Sequence, residues 1–292
     1  MIDRTLVADQ LRVPTDKDTK YSRGALLLAT GSPTYPGAAV LGALGASACG
    51  VGILRYAGPQ RCEDLILASL PEAVMGGGHF DGAVVGSGWD SSMTSYVEMV
   101  ARECATKDHP LIVDAGALGG VREWARTNFQ VVATPHPGEA ARMFAQLEPT
   151  RSAHWSREHI EEDVRGAALR LADLSGAIVV LKAATTCVAT PSGETWMFEA
   201  PTAWGATAGA GDVLAGVIGA LVVGRRRECD GNESSSLPQA VAAAVGLHGF
   251  AAAIAAGVMT DKMELTGVPG HPITASQIAE AIPQAYGNLL LR

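Results

Sequence analysis

The residues best suited to do chemistry lie between Trp204 and Gly216, where Ala208, Gly209, Ala210 and Gly211 deliver one carboxylate, Asp212, into an apolar run beginning at Val213. Glycines at 209 and 211 let backbone N–H groups approach an anion closely, and a helix starting behind them adds a dipole that favours negative charge. Asp212 stands beside those donors, suited to take a proton from a substrate hydroxyl. The alternative is a glycine-rich turn with Asp212 as a helix N-cap, and short glycine patterns also arise by chance.

A second constellation is Thr134, Pro135, His136, Pro137, Gly138 and Glu139. Prolines on both sides fix the backbone around His136 and hold its imidazole in one direction, as a substrate contact requires. Glu139 is suited to order Mg²⁺, usually through water, or simply to favour a helix N-terminus. A third is Lys182, Ala183, Ala184, Thr185 and Thr186, where a point charge beside two hydroxyls suits phosphate oxygens, or else marks a solvated lysine at a turn. The glycine segments 31–37 and 86–88 offer close backbone approach, although neither matches a P-loop or dinucleotide fingerprint. Trp89 and Trp204 stand in the glycine loops, where a ring stacks on a base or merely packs. His248, in an alanine-rich helix over 238–256, reads as an interior histidine.

Elements must position these groups. Short apolar runs at Ala25–Ala29, 51–56, Gly82–Val85, Leu111–Val113, 130–133 and 177–181 read as buried strands. Helical patterns fall at 37–48, 92–106, 138–146, 157–174 and 212–222, and 188–190 with 195–198 reads as a small hairpin. The alternation predicts a three-layer α/β/α sandwich with a mainly parallel central sheet. The polar loops, Asp114 among them, then follow the carboxyl ends of strands, where such folds gather their sites.

Composition narrows the classes. The 292 residues, 48% hydrophobic and 18% charged, fit one domain over 1–292 with a polar lead-in at 1–20. A net charge of -8 argues against nucleic acid and anionic membrane surfaces. Cys49, Cys62, Cys104, Cys187 and Cys229 show no paired spacing, so no disulfide and no zinc site is expected. The N-terminus lacks the pattern of a signal peptide, which makes the cytoplasm the expected location. Segments 213–224 and 240–258 read as core helices rather than membrane spans, and 225–238 as an exposed loop.

In chain order, Tyr35 to Ala39, Gly86 to Gly88, 112–118, the histidine turn, the Lys182 loop, 206–216 and the ending with His248 and 274–283 resemble the NAD(P)H-hydrate dehydratase family, a ribokinase-like branch, over residues 20–285. The resemblance implies the ribokinase-like sandwich and an enzyme that spends ADP, or ATP in eukaryotes, to remove water from the 6-hydroxy forms of NADH and NADPH. It implies that Ala38, Gly88, His136 and Asp212 touch the hydrated dinucleotide, while Lys182, Ala183, Ala184, Thr185, Thr186 and Gly211 hold the AMP part of the nucleotide. Asp212 is then the base, the N–H groups from Ala208 to Gly211 the anion hole, and Mg²⁺ the counter-charge.

The resemblance further implies a homo-oligomer, a tetramer, and a separate epimerase working in the same pathway. Departures stand at Ser87 and Trp89 in the glycine loop, at Gly116 where a second Asp is common, and at Ala183 where Gly is usual. They bear on the shape of both pockets and leave Asp212 in place. A ribokinase-like small-molecule kinase and a non-catalytic nucleotide-binding protein of the same fold are the competing expectations.

Overall fold

Runs of aliphatic residues without polar side chains can be covered on both faces, and the strands they form lie in the middle of the molecule. The computed structural model describes residues 1–128, 130–225 and 236–291. Among these, nine strands make one sheet: β1 (Ala25–Ala29), β2 (Ile53–Tyr56), β3 (Val74–Met75), β4 (Gly82–Val85), β5 (Leu111–Val113), β6 (Val131–Ala133), β7 (Ile178–Leu181), β8 (Thr185–Ala189) and β9 (Thr195–Glu199). Their order is β3-β2-β1-β4-β5-β6-β7-β8-β9. Pairings from β3 through β7 are parallel, and β8 and β9 close that edge as an antiparallel hairpin.

The helices are α1 (Arg4–Gln10), α2 (Pro36–Ala48), α3 (Gln60–Ser69), α4 (Thr94–Lys107), α5 (Val121–Ala125), α6 (Pro137–Leu147), α7 (Arg157–Glu162), α8 (Val164–Ser175), α9 (Ala210–Val223), α10 (Leu237–Ala255) and α11 (Ala275–Leu290). Side chains alternate across each strand, so β1 sends Leu26 and Leu28 into a core shared with α2, α9, α10 and α11. Ala25, Leu27 and Ala29 enter the opposite core, with α4, α5, α6 and α8. This is the expected three-layer sandwich.

The differences are local. The lead-in at 1–20 holds α1, whose Val7 and Ala8 are buried against the first core, so its first ten residues belong to the fold. The single helix expected at 157–174 is two, because Asp163 leaves the helix and its carboxylate accepts from Gly166 N at 2.8 Å as an N-cap for α8. The first hairpin strand begins at Thr185 rather than 188, so Thr185 and Thr186 sit on a strand. In the loop expected at 225–238, residues 226–235 lie outside the described residues. Cys49, Cys62, Cys104 and Cys187 are free thiols, and Cys229 lies outside the described residues. The helix α10 is long and apolar enough to cross a membrane, but 78% of its most apolar window is buried inside the fold, as a core helix requires.

Two helices meet backbone to backbone. A Cβ on Gly216 of α9 would stand 2.1 Å from the carbonyl oxygen of Gly42 on α2, and one on Gly45 would stand 2.5 Å from Val213 O. Neither obstacle is a flexible side-chain end, so any larger residue forces the helices apart. Gly216→Ala is expected to destabilise the protein by about 3 kcal/mol, the upper range for overpacking, whereas Gly287→Ala, which meets nothing within 4 Å on α11, gains a few tenths or more through helix propensity. Paired denaturant melts read both signs.

Candidate active site

The parallel strands all end at one edge, and the loops leaving that edge carry the polar residues. Helix α9 starts there: Gly209 is its N-cap in the left-handed region (φ 88°), and a Cβ on it would strike Leu41 at 2.4 Å. Of the four amides expected in an anion hole, Ala210 N donates to Thr207 O at 3.2 Å and is spent on the turn. The N–H groups of Ala208, Gly209 and Gly211 take no acceptor among the described residues, which leaves three donors at a helix N-terminus. Asp212 follows in the first turn, half-buried.

The two backbone contacts expected from the sequence adjoin each other. Gly88 has φ 63°, and a Cβ on it would lie 2.5 Å from Ala38 Cβ and 2.9 Å from Tyr35 O, so the glycine loop lies directly on the start of α2. Asp90 ties the same loop down: hydrogen bonds from Ser92, then from Thr34 and Ser32, hold its carboxyl well below the usual range. Trp89 and Gly116 prove to be one feature. A Cβ on Gly116 would lie 2.4 Å from Trp89 Cβ, so the half-buried tryptophan occupies the place of a side chain at 116.

His136 is fixed, as its flanking prolines predict, and by more than prolines. It caps α6: its Nδ1 accepts from Gly138 N at 3.0 Å and Glu139 N at 3.3 Å, while Glu139 Oε2 accepts from His136 N at 2.9 Å. The cap reading and the presentation reading therefore hold together. With Nδ1 an acceptor, the proton of the neutral ring sits on Nε2, and the side chain is 53% exposed.

Lys182 is not the free point charge that the sequence suggested. Its Nζ donates to Asp114 Oδ1 at 2.7 Å, and Asp114 also accepts from Thr134 Oγ1 at 2.6 Å and Ser87 Oγ at 2.8 Å. Lys182 N donates to Pro135 O at 2.8 Å, joining the lysine loop to the histidine turn. The same Nζ would lie 3.4 Å from a Cβ on Gly211, beside the open amides. Burial raises the Asp114 carboxyl, but Lys182 and the three hydrogen bonds outweigh it and hold the group ionised, below its usual range. Burial lowers the Lys182 ammonium, and the charges of Asp114, Glu139 and Asp212 more than reverse that. Asp212 goes the other way: burial, then the charge of Asp114, push it up to about 6, with Lys182 opposing and Glu139 adding. Thr186 spends its hydroxyl on Ala183 O at 3.3 Å, while Ala184 is exposed and Ala183 and Thr185 half-buried.

Sequence reasoning placed Asp114 at the site's edge without a role, and left Ser87 as an unexplained departure. The half-buried His248 packs beside Ala210 with its enclosed Nε2 unpartnered, and desolvation pulls it down to about 4, so it is neutral. Trp204 is 39% exposed and tied to Pro269 O at 2.7 Å. A cavity of about 260 Å³ lies at the other end of α2 and α9, lined by Arg12, Arg23, Cys49 and Tyr286 among others. Both arginines there already bind carbonyls, Ser22 O and Gly50 O, and no site residue faces it.

Comparison with known proteins decides the family. A family model described as NAD(P)H-hydrate dehydratase matches residues 26–268. The chain belongs to the NAD(P)H-hydrate dehydratase family. The bifunctional NAD(P)H-hydrate repair enzyme of Mycobacterium tuberculosis is 37% identical over 229 residues, 75% of this chain and 45% of that protein, so the chain spans about half the length of such relatives. The crystal structure of the ADP/ATP-dependent NAD(P)H-hydrate dehydratase from Bacillus subtilis, co-crystallised with ATP and Mg²⁺, is similar with TM-score 0.75 and 25% identity over 98% of this chain and 97% of that one. A ribokinase-like superfamily protein from Enterococcus faecalis matches with TM-score 0.78 at 20% identity, over 99% and 96% of the two chains, which fixes the fold as ribokinase-like.

For this family member, Mg²⁺ has no all-protein cage: among the described residues no three His, Cys, Asp or Glu side chains converge on one point. The donor set fits an ion that arrives on phosphates, because Mg²⁺ keeps several waters and takes one or two carboxylates. Glu139 keeps one carboxylate oxygen outside the cap bond to His136 N.

The raised Asp212 makes a stability prediction. Its folded value of about 6 lies above its unfolded value near 3.8, so its favourable contribution is complete below pH 3.8 and is lost as pH rises through 6. Asp212→Asn removes that loss, and at pH 8 the variant should be more stable than the parent by roughly 2 kcal/mol, with the gap closing towards pH 4. Thermal melts across that range test it.

Proposed function

We propose that this chain dehydrates the 6-hydroxy forms of NADH and NADPH, using ADP, or less effectively ATP, to turn hydroxide into a leaving group. The observation that carries the reading is the first turn of α9, where a raised carboxylate, three open N–H donors and a lysine ammonium share one small volume. Asp212 takes the proton of the C6 hydroxyl, and the freed oxygen attacks the terminal phosphorus of the nucleotide. The bond from that phosphorus to AMP breaks, and AMP leaves. The donors at Ala208, Gly209 and Gly211 and the charge of Lys182 stabilise the phosphoryl group in transit, so positioning and electrostatics carry the step. The lone pair of the ring nitrogen then expels phosphate from C6, and loss of a C5 proton restores the double bond.

Ala38 and Gly88 present a flat backbone wall to the dihydropyridine, and His136 offers its Nε2 proton to an acceptor on the dinucleotide. Mg²⁺, carried by the nucleotide phosphates and steadied by Glu139 through water, supplies neutralising charge when bound. A separate epimerase acting on the opposite hydrate epimer completes the repair. The same proposal includes a homotetramer in the cytoplasm.

The test is to incubate the protein with hydrated NADH and each nucleotide and follow the return of dihydronicotinamide absorbance together with AMP and phosphate. The base predicts an acid limb near pH 6, below which kcat falls with the fraction of ionised Asp212. Asp212→Asn should lower kcat roughly 10³-fold and leave the Kd for ADP nearly unchanged. No recovery of absorbance with either nucleotide, alongside a stable phosphorylated product from another alcohol, would replace this reading with a kinase.

A further inference from the structure

The strongest interaction at the site belongs to a residue that touches no proposed substrate atom. In the sheet order β5-β6-β7, Asp114 follows β5 and Lys182 follows β7, two strands apart and hence roughly 10 Å in backbone separation. The lysine stem crosses the end of β6 to place Nζ 2.7 Å from Asp114 Oδ1. Asp114 is 3% exposed, and its carboxylate is gripped from either side by Ser87 Oγ at 2.8 Å, following β4, and Thr134 Oγ1 at 2.6 Å, following β6. Four consecutive strand ends thus converge on one carboxylate.

Stability does not call for this arrangement. The strands are already laddered by their backbones, and a buried ion pair recovers little beyond its own desolvation. Position is what the clamp supplies. Lys182 has three carboxylates within electrostatic reach: Asp114, Glu139 from α6 and Asp212 from α9. His248, the titratable group facing this region from α10, is half-buried and uncharged. A lysine free to choose would close on Asp212, neutralise the base and withdraw from the open amides.

Resting on the dehydratase reading for its catalytic consequence, we propose that Asp114 is a positioning residue: clamped by Ser87 and Thr134, it holds Lys182 beside Gly211 and off Asp212. The base stays unpaired, and the ammonium stands where the phosphoryl group passes. Ser87 thereby gains a function that a residue without a side-chain donor would not provide.

Asp114→Asn is nearly isosteric and keeps hydrogen-bonding partners for Ser87 and Thr134. It removes a charge that raises Asp212 and frees Lys182 to approach it, and both effects lower the Asp212 pKa. The decisive measurement is a carboxyl ¹³C NMR titration of Asp212 in the ligand-free protein, assigned by comparison with Asp212→Asn. The titration should move to lower pH by about one pH unit or more in Asp114→Asn and by less in Ser87→Ala. In turnover, kcat should fall roughly 10²-fold with the acid limb moving the same way, while KM for ADP changes little. Adding Lys182→Met to Asp114→Asn should cost nothing beyond Lys182→Met alone.

A titration that stays in place or moves to higher pH in the variants overturns the proposal, as does full multiplication of the two losses. If Asp114→Asn does not fold, Ser87→Ala decides, since it leaves every charge in place and an unmoved Asp212 there overturns the clamp. The titration needs no substrate, so a parent protein that fails to dehydrate hydrated NADH sinks the dehydratase reading and leaves this measurement standing.

Discussion

The contact between α2 and α9 is the constraint on which the site depends. Because Gly42, Gly45 and Gly216 carry no side chains, the two helices approach until backbone meets backbone, and their N-termini arrive together at the carboxyl edge of the sheet. That single contact sets the Asp212 backbone beside Gly42 of α2, one turn on from Ala38, with Leu41 of α2 filling the space beside Gly209. Gly88 then seats against Ala38 on the other side. The proposed base, anion cradle and substrate wall are thereby held by main-chain geometry, which does not vary with rotamer.

Within that frame the charges are deliberately unequal. Three carboxylates, Asp114, Glu139 and Asp212, face one ammonium, and the hydrogen bonds decide which carboxylate stays low. Asp114 takes three donors and remains ionised; Glu139 closes a cap with His136; Asp212 has the burial without the partners and rises to about 6. A carboxyl with that value is ionised at neutral pH yet more basic than an ordinary aspartate, which suits proton abstraction from an alcohol. The same inequality costs folding free energy, as strained functional groups do.

How much of this was legible in the sequence follows from the range of each interaction. Buried strands such as β1, β4 and β5 announce themselves through short aliphatic runs, and their bounds were read to the residue. The elements that escaped are α1, α3, α5, the two-residue β3 and α11; the first four are short or carry an apolar pattern diluted by charge, and α11 carries Pro283 in its interior, which reads as a helix break. Local chemistry was legible too: the turn around His136 and the glycines before Asp212 work over a few residues. The Asp114 to Lys182 pair was not, because the partners are 68 residues apart and meet only once the order β5-β6-β7 is known. The Trp89 and Gly116 departures looked like two changes for the same reason, although in space the ring of one fills the vacancy of the other.

The phosphoryl apparatus proposed at α9 is indifferent to what happens after transfer. Amides, a lysine and a base serve equally a kinase that keeps its phosphorylated alcohol and a dehydratase that expels it. The difference must lie in the acceptor. A phosphate leaves unaided only from a carbon whose neighbouring nitrogen can push electrons out, so the fate of the product is written in the ring that the other wall of the site admits. In the proposed reaction that wall is Ala38, Gly88 and His136. The first two are stripped to backbone and Cβ, which accommodates a flat ring, and the third spends Nδ1 on its helix cap and keeps Nε2, 3.6 Å from Glu139 Oε2, outside it. On the proposed reading, chemistry at α9 supplies the force of the reaction, while the cap of α6 and the glycine loop after β4 decide what it acts on.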